Sequence, residues 1–207
     1  MPANEYDNSV RLKELQARIA RNDQAAFTQL YLHFGKRLIH FAASLLRSKE
    51  TAEEITEDVF VKLWANRATI NDIDNITVYL YVAVKNMSLS TLSRQARQLV
   101  LAPFDFLDTP VDGWAVDPYD LMITSEMMER MHQAVEALPP RCKMIFKLIR
   151  EDGLKYKEVA EILNISVNTI DVQMAIAVKK ICMALHIERT SNGFHFPASN
   201  NISKKDG

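Results

Sequence analysis

The sequence predicts an all-α fold of two small helical domains joined by an extended acidic linker. Apolar residues recur at spacings of three and four through most of residues 12–97, as in amphipathic helices. The same period returns over 125–187. Residues 98–124 instead hold three Pro, five Asp and no helical period. With 48% apolar residues and only five Gly in 207 residues, the composition excludes disorder throughout.

The first domain is predicted over residues 1–97 as a bundle of about four helices, counting a short one at 11–22. Apolar stripes cover residues 27–45, 55–64 and 78–92, with the polar stretch 66–75 predicted as a loop. The second domain is predicted over 125–187, with Ser125 as an N-cap and Gly153 just after a helix. The polar segment 188–207 is predicted as a flexible tail.

Cysteine usage and hydropathy indicate a cytoplasmic chain. Cys142 and Cys182 are 40 positions apart, with no CxxC motif and no histidine at ligand spacing, so no disulfide framework and no metal site is predicted. The N-terminus is polar, and no apolar run reaches the ~20 residues of a membrane helix. The sequence also lacks a glycine-rich phosphate loop or a nucleophile motif, so we expect no enzymatic activity and no cofactor.

Charge is distributed unevenly along the chain. The total is −1, but residues 98–125 carry five Asp and neither Lys nor Arg, and each flanking part is net +2. This asymmetry indicates that contacts with a polyanion, if any, are made by the two helical parts.

Residues 156–181, "YKEVAEILNISVNTIDVQMAIAVKKI", predict a helix-turn-helix. Asn164 and Ile165 form the predicted turn, Ser166 caps the second helix, and an apolar stripe from Ile170 to Leu185 faces inward. A plain structural αα-hairpin remains the alternative, because small helical bundles contain such pairs.

The outward face of the second helix carries groups that suit base edges. Asn168 and Gln173 match an adenine edge, and Thr169 or Val172 match a thymine methyl. Lys179 and Lys180 suit phosphates, and equally suit a helix C-terminal half on dipole grounds. The full candidate set is Arg141, Lys155, Lys157, Ser166, Asn168, Thr169, Asp171, Val172, Gln173, Ile176, Lys179 and Lys180.

A second candidate surface lies in "SKETAEEITEDVFVKLWANR", where Glu53, Glu54, Glu57 and Asp58 share one side of a helix. Acids early in a helix also favour its N-terminus, so simple helix design is an alternative explanation.

Two blocks, "AEEITEDVFVKLW" with "YLYVAVKN" and "LPPRCKMIFKLIREDGLKYKEVAEILNISVNTIDV", resemble regions two and four of bacterial RNA polymerase sigma factors. The resemblance is to the extracytoplasmic-function (ECF) group of the sigma-70 family, in a version similar to that of Bacteroidetes. It covers about residues 20–97 and 126–186 in the family's order. It implies a promoter-specificity subunit that binds core RNA polymerase and promoter DNA, and an anti-sigma partner, in many relatives membrane-bound.

The resemblance also implies residue roles. Core polymerase binding falls on Glu53, Glu54, Glu57, Asp58, Phe60 and Trp64. Binding and melting of the −10 element fall on Asn66, Arg67, Asn71, Asp72, Tyr79, Tyr81, Lys85, Asn86 and Arg94, with Tyr79 or Tyr81 as core residues in the alternative. The helix-turn-helix is assigned to the −35 element. The linker aspartates either mimic nucleic acid in the polymerase channel or belong to a solvated tether.

Another functional class remains open as an alternative. A transcriptional regulator that acts without the sigma role can carry the same output helices, but it needs a receiver domain or a ligand pocket before them. Residues 1–97 show no alternation of strands and helices, so the sigma role is preferred.

Overall fold

The computed structural model describes residues 5–98, 125–185, 188–190 and 193–195, with side chains over 9–95 and 129–185. The first domain contains α1 (Glu5–Ala20), α2 (Gln24–Leu46), α3 (Lys49–Ala65), a 3₁₀ turn (Arg67–Asp72) and α4 (Ile76–Gln98). The second contains α5 (Ser125–Glu136), α6 (Pro140–Arg150), α7 (Tyr156–Leu163) and α8 (Val167–Ala184). The predicted all-α class is therefore confirmed.

The first domain packs four helices around an apolar centre. Short polar residues begin the helices: Asp23 accepts from the Ala26 N–H, and Ser48 accepts from the Thr51 N–H at 3.2 Å. Leu30, Leu38, Val59, Leu80 and further stripe residues are buried between the helices. Burial of these stripes supplies most of the free energy that stabilises the domain.

Three local predictions in the first domain need correction. The first helix begins at Glu5 instead of residue 11, since its polar first turns carry no apolar stripe to reveal them. Part of the predicted loop 66–75 is the 3₁₀ turn Arg67–Asp72. The side chain of Ile70 is buried and anchors this turn to the domain. Leu89, predicted in the apolar stripe of α4, is exposed.

The second domain is built on α8, which packs against α5, α6 and α7. Ile170, Met174, Ala177, Ile181 and Leu185 are buried, so the predicted inward stripe is confirmed. Gly153 has φ +70°, the left-handed conformation expected just after a helix. The side chain of Ser125 and the linker 99–124 lie outside the described residues, so their predicted roles stay predictions.

Two short strands lie in the segment predicted as a flexible tail, and its flexibility stays a prediction. Strands β1 (Glu188–Thr190) and β2 (Gly193–His195) pair antiparallel, with Arg189 opposite Phe194. The sequence signal that was overlooked is the run Ser191, Asn192 and Gly193, three residue types that are common in turns.

The two domains are in direct contact. α7 packs against α4, and one apolar core runs from the first domain into α6, α7 and the start of α8. A cleft of about 360 Å³ opens along this contact, lined by α1, α2, the start of α4 and the segment that joins α6 to α7. Among the described residues, no helix is long and apolar enough to cross a membrane.

Candidate polymerase and nucleic-acid interfaces

The helix-turn-helix has the predicted turn. Asn164 takes the left-handed conformation (φ 53°, ψ 52°), and the Ile165 N–H donates to the Ala160 carbonyl at 3.0 Å. Ser166 then caps α8 by accepting from the Thr169 N–H at 3.1 Å. These local bonds fix the direction in which α8 leaves α7.

The outward face of α8 is open to solvent in this arrangement. Val172 is 50% exposed and Ile176 is 37% exposed, one turn apart on the same side. Gln173 is half-buried, and its carbonyl accepts from the Cys142 thiol at 3.2 Å, so its backbone is anchored while its amide remains at the surface. Also exposed on this face are Asn168, Asp171, Lys179 and Lys180, with Thr169 half-buried.

On this face the cations are confined to Lys179 and Lys180, in the second half of α8. Arg141 in α6, and Lys155 and Lys157 at the start of α7, are exposed, whereas the first three turns of α8 carry no Lys or Arg. Such a distribution suits phosphate contacts at the rim and neutral contacts to base edges at the centre.

The acidic surface of α3 is also open. Glu54, Glu57 and Asp58 are exposed, and Glu53 makes a 3.7 Å ion pair with Lys49 one turn earlier. Exposed i,i+4 pairs of this kind stabilise little, about 0.3–0.5 kcal/mol. A basic partner could therefore bind these acids at little cost in free energy, because only this weak ion pair would be lost.

The aromatic part of the predicted polymerase surface divides into two. Phe60 is 2% exposed and packs edge-on against Phe27 and Tyr31, so it supports the surface from inside the core. Trp64 is half-buried, and the Arg67 guanidinium lies 4.8 Å from its ring centroid and donates to its carbonyl at 2.9 Å.

Arg67 was assigned to DNA and Trp64 to polymerase, so this stacking couples the two predicted sites. Arg67 also donates to the Asn22 side chain. Its charge is thus held in place at the end of α3, next to the 3₁₀ turn.

Six of the nine predicted −10 residues are exposed. Tyr79, 42% exposed, and Asn86 lie two turns apart on α4. The others exposed are Asn66, Asn71, Asp72 and Arg94.

Tyr81 and Lys85 lie on a different side of α4 and are not brought together with that set. The ring of Tyr81 is 1% exposed, and its hydroxyl donates to Asp152 Oδ2 at 2.6 Å. Lys85 Nζ donates to the Ile162 carbonyl, in the last turn of α7, at 2.6 Å. In this arrangement both side chains are occupied by the second domain, so neither is available to DNA.

Burial controls the titration of the groups at this contact. It raises the pKa of Asp152 to about 6, against the lowering effects of the Tyr81 hydroxyl and the Arg37 charge. Burial, together with the negative charge of Asp152, raises the pKa of Tyr81 well above its usual range. The tyrosine hydroxyl is therefore the proton donor of the pair.

Sequence reasoning missed several polar residues that build these surfaces. Gln16 is buried, and its amide donates to the Ile70 and Ile73 carbonyls at 2.7 and 2.9 Å, on either side of Asn71 and Asp72. A polar residue at an inward position of α1 was the available signal. Nothing in the sequence pairs Arg37 with Asp152, because their contact is made only by tertiary packing.

Among the described residues, no group of three His, Cys, Asp or Glu side chains is arranged to hold a metal ion. Cys142 is buried and Cys182 half-buried, both as free thiols.

Comparison with known proteins decides the family. Residues 30–98 match the family model for Sigma-70 region 2, and residues 128–181 match that for Sigma-70, region 4. This chain belongs to the sigma-70 family. It is an RNA polymerase sigma factor of ECF type, a non-enzymatic initiation factor that directs the polymerase to promoters.

Relatives and solved structures agree with this assignment. The ECF RNA polymerase sigma-E factor of Escherichia coli K12 is 23% identical to this sigma factor over 162 residues, 75% of this chain and 84% of the relative. The ECF RNA polymerase sigma factor SigW of Bacillus subtilis is 21% identical over 175 residues, 79% and 90% of the two chains.

Two solved structures share the fold of this sigma factor. The sigma factor RpoE of Bartonella quintana, solved with the anti-sigma factor NepR, has a TM-score of 0.55 and 21% identity, with coverage of 79% of this chain and 98% of that one. CnrH, solved with the cytosolic domain of CnrY, has a TM-score of 0.51 and 20% identity, with coverage of 84% and 96%. The narrower likeness to Bacteroidetes members stays a prediction.

Proposed function

We propose that this sigma factor divides its work among three surfaces. The exposed acids of α3, with Trp64, bind core polymerase. The exposed side of the 3₁₀ turn and α4 binds the −10 element, and the outward face of α8 reads the −35 element. In this proposal the working units are residues 1–97 and 125–187, joined by the acidic linker 98–124 and followed by the tail 188–207.

The observation that carries the proposal is the composition of the exposed face of α8. Amide, hydroxyl and methyl groups occupy its centre together with the Asp171 carboxylate, whereas cations are confined to the rim and to Lys179 and Lys180. Phosphate contacts supply most nucleic-acid affinity, so a face of this kind discriminates between bases but binds DNA weakly. The polymerase, engaged through α3, then contributes the remaining binding free energy.

We also propose a cytoplasmic location and control by an anti-sigma factor. The core polymerase on which a sigma factor acts is cytoplasmic. The support for an anti-sigma partner is that RpoE of Bartonella quintana, which shares this fold, was solved with one. A membrane-bound anti-sigma protein would carry an external signal to a chain that stays inside the cell.

Transcription with core RNA polymerase tests the proposal. The full chain is mixed with core enzyme and a promoter library, and the run-off transcripts are sequenced. We expect transcripts that share one −35 and one −10 sequence and that disappear when the chain is omitted. A chain that binds DNA but never co-purifies with core polymerase would instead support a helix-turn-helix regulator without the sigma role.

A further inference from the structure

Two apolar side chains are exposed on the outward face of α8, among the groups that suit base edges. We propose that Val172 and Ile176 read the methyl groups of two thymines, so that the −35 element of this sigma factor is built on A·T pairs. The inference rests on the proposed role of α8 at the −35 element. It deepens that role, because it names the bases and the atoms that are recognised.

Val172 and Ile176 form a short apolar strip along α8. They are 50% and 37% exposed and, being four residues apart, they lie on one side of the helix. Asn168, one turn before Val172, extends the same side towards the start of the helix. A single exposed valine is ordinary on a protein surface. This strip differs because it lies on the face that a helix-turn-helix turns towards the major groove.

The chemistry of the major groove gives this strip one matching partner. Among the groups that base pairs display there, the C5 methyl of thymine is the apolar one. Against it, the side chains of Val172 and Ile176 remove apolar surface from water on both molecules. Against a polar base edge, the same side chains would strip water from a donor or acceptor and offer no bond in return. The strip therefore favours A·T pairs and also disfavours the alternatives.

The neighbouring side chains suit the same base pairs. Exposed Asn168 and half-buried Gln173 carry amides that match an adenine edge. Lys and Arg, the residues that bond guanine most often, are absent from residues 167–178. Asp171 is the exception, since a carboxylate accepts from a cytosine amino group, but it lies about 100° around the helix from Val172. A cytosine read by this helix therefore belongs at one flank of the A·T pairs.

The rest of α8 keeps the strip turned outwards. Ile170, Met174 and Ala177 are buried on the opposite side, so the helix cannot rotate about its axis without exposing them. Val and Ile are β-branched, and in a helix each has one strongly preferred χ1 rotamer. The side chains of the strip therefore lose little conformational freedom when they contact a base.

Helix geometry also gives the spacing of the two thymines. Four residues of α-helix rise about 6 Å along the axis, and base pairs of B-DNA are stacked ~3.4 Å apart. A helix that lies along the major groove thus carries Val172 and Ile176 over at most about two base-pair steps. We expect the two thymines one or two steps apart, on the same strand or on opposite strands.

Deoxyuridine in place of thymidine removes only the methyl group and tests the proposal on the native chain. The full chain with core polymerase first selects its −35 sequence from a promoter library, and each thymine of that sequence is then replaced singly. Holoenzyme affinity should fall by about fourfold at each of two thymines, as loss of one buried methyl group implies. A −35 element at which no replacement lowers affinity would overturn the proposal.

Truncation of the protein side completes a double-mutant cycle. In Val172→Ala the deoxyuridine effect should vanish at one of the two thymines, and in Ile176→Ala at the other. The matched control is Val10→Ala, on α1, where the native valine is also 50% exposed, and both effects should persist in it. Effects that persist unchanged in all three variants would be assigned to DNA shape and would overturn the methyl contacts.

The library separates failure of this inference from failure of the proposed function. Specific transcription from promoters whose −35 element consists of G·C pairs would leave the sigma role intact and overturn the methyl contacts. A native chain that yields transcripts but selects no −35 sequence would count against the proposed role of α8 and overturn the methyl contacts with it. Absence of transcripts altogether would count against the whole proposed function.

Discussion

Helices α8 and α4 are both assigned to DNA, but the structure treats their surfaces differently. α8 turns a face to solvent, on which Val172 and Ile176 are exposed. α4 is divided: Tyr79 and Asn86 are exposed, whereas Tyr81 and Lys85 contact the second domain. The comparison teaches that one helix can present some residues to solvent and others to a second domain.

The acids of α3 resemble α8 in this respect, because they are exposed while the domains are in contact. The following changes test whether exposed and occupied surfaces behave as independently as this comparison requires.

The largest expected effect is on polymerase binding. Glu57→Lys combined with Asp58→Lys reverses two exposed charges and should weaken core binding by roughly a hundredfold, since like charges across an interface cost several kcal/mol. The measurement is competition for core polymerase against the native chain. Glu14→Lys, a charge reversal at an exposed position of α1, is the control. The same loss should appear with Asp152→Lys present, and a different loss would show that α3 and the domain contact are coupled.

On α8 the effect should depend on the residue type. Gln173→Ala should relax preference at one or two −35 positions by about 1–3 kcal/mol. Lys179→Ala should instead weaken binding to all sequences and reduce the salt slope by about one. The measurement is holoenzyme binding to a −35 library at several salt concentrations. Equal effects of the two changes on every promoter would mean that Gln173 reads no base.

The domain contact should depend on pH through Asp152. Its pKa is about 6 while the domains are in contact and ordinarily 3.8, so the state with the contact binds the proton more tightly. This contribution to the contact is full below about pH 4 and is lost as pH rises through 6. From pH 8 to pH 5.5 we expect the contact to strengthen by at most roughly tenfold, because Asp152 is partly solvated.

Hydrogen exchange of the α7 amides, corrected for the intrinsic effect of pH, measures this change. Asp152→Asn keeps an acceptor for Tyr81 and should remove the dependence. His33, in the same cleft, has its pKa lowered by burial and by Arg37 and Arg11, groups of the first domain itself, so it should contribute little. The charges of Lys13, Asp74, Lys155 and Glu158 also line the cleft, and a dependence that survives in Asp152→Asn would be assigned to this set.

The smallest expected effects are at the helix caps. Ser48→Ala and Ser166→Ala each remove one bond to a helix N-terminus and should each cost about 1 kcal/mol of unfolding free energy. Thermal unfolding of the full chain gives both values. Because Ser166 begins α8, its replacement should also weaken −35 discrimination, whereas Ser48→Ala should not. Identical promoter profiles for the two variants would separate the cap of α8 from recognition.

Much of the fold could be predicted from the sequence because it depends on local rules. Apolar residues at helical spacing identified the inward stripe from Ile170 to Leu185, and Asn164 and Ser166 marked the turn. Left-handed residues and side-chain caps are short-range features that a single chain displays directly. The exposed acids of α3 were found for the same reason.

The tertiary structure alone decided the long-range polar contacts. Helical period places Tyr79 and Tyr81 on different sides of α4, but only the position of α7 makes one of them exposed and the other a donor to Asp152. In the sequence Gln16 is likewise an ordinary polar residue of a helix. Its role is visible only in the fold, where its amide donates to the Ile70 and Ile73 carbonyls. A hydrogen bond between residues tens of positions apart leaves no periodic signal, since its partners are chosen by packing and not by their neighbours in sequence.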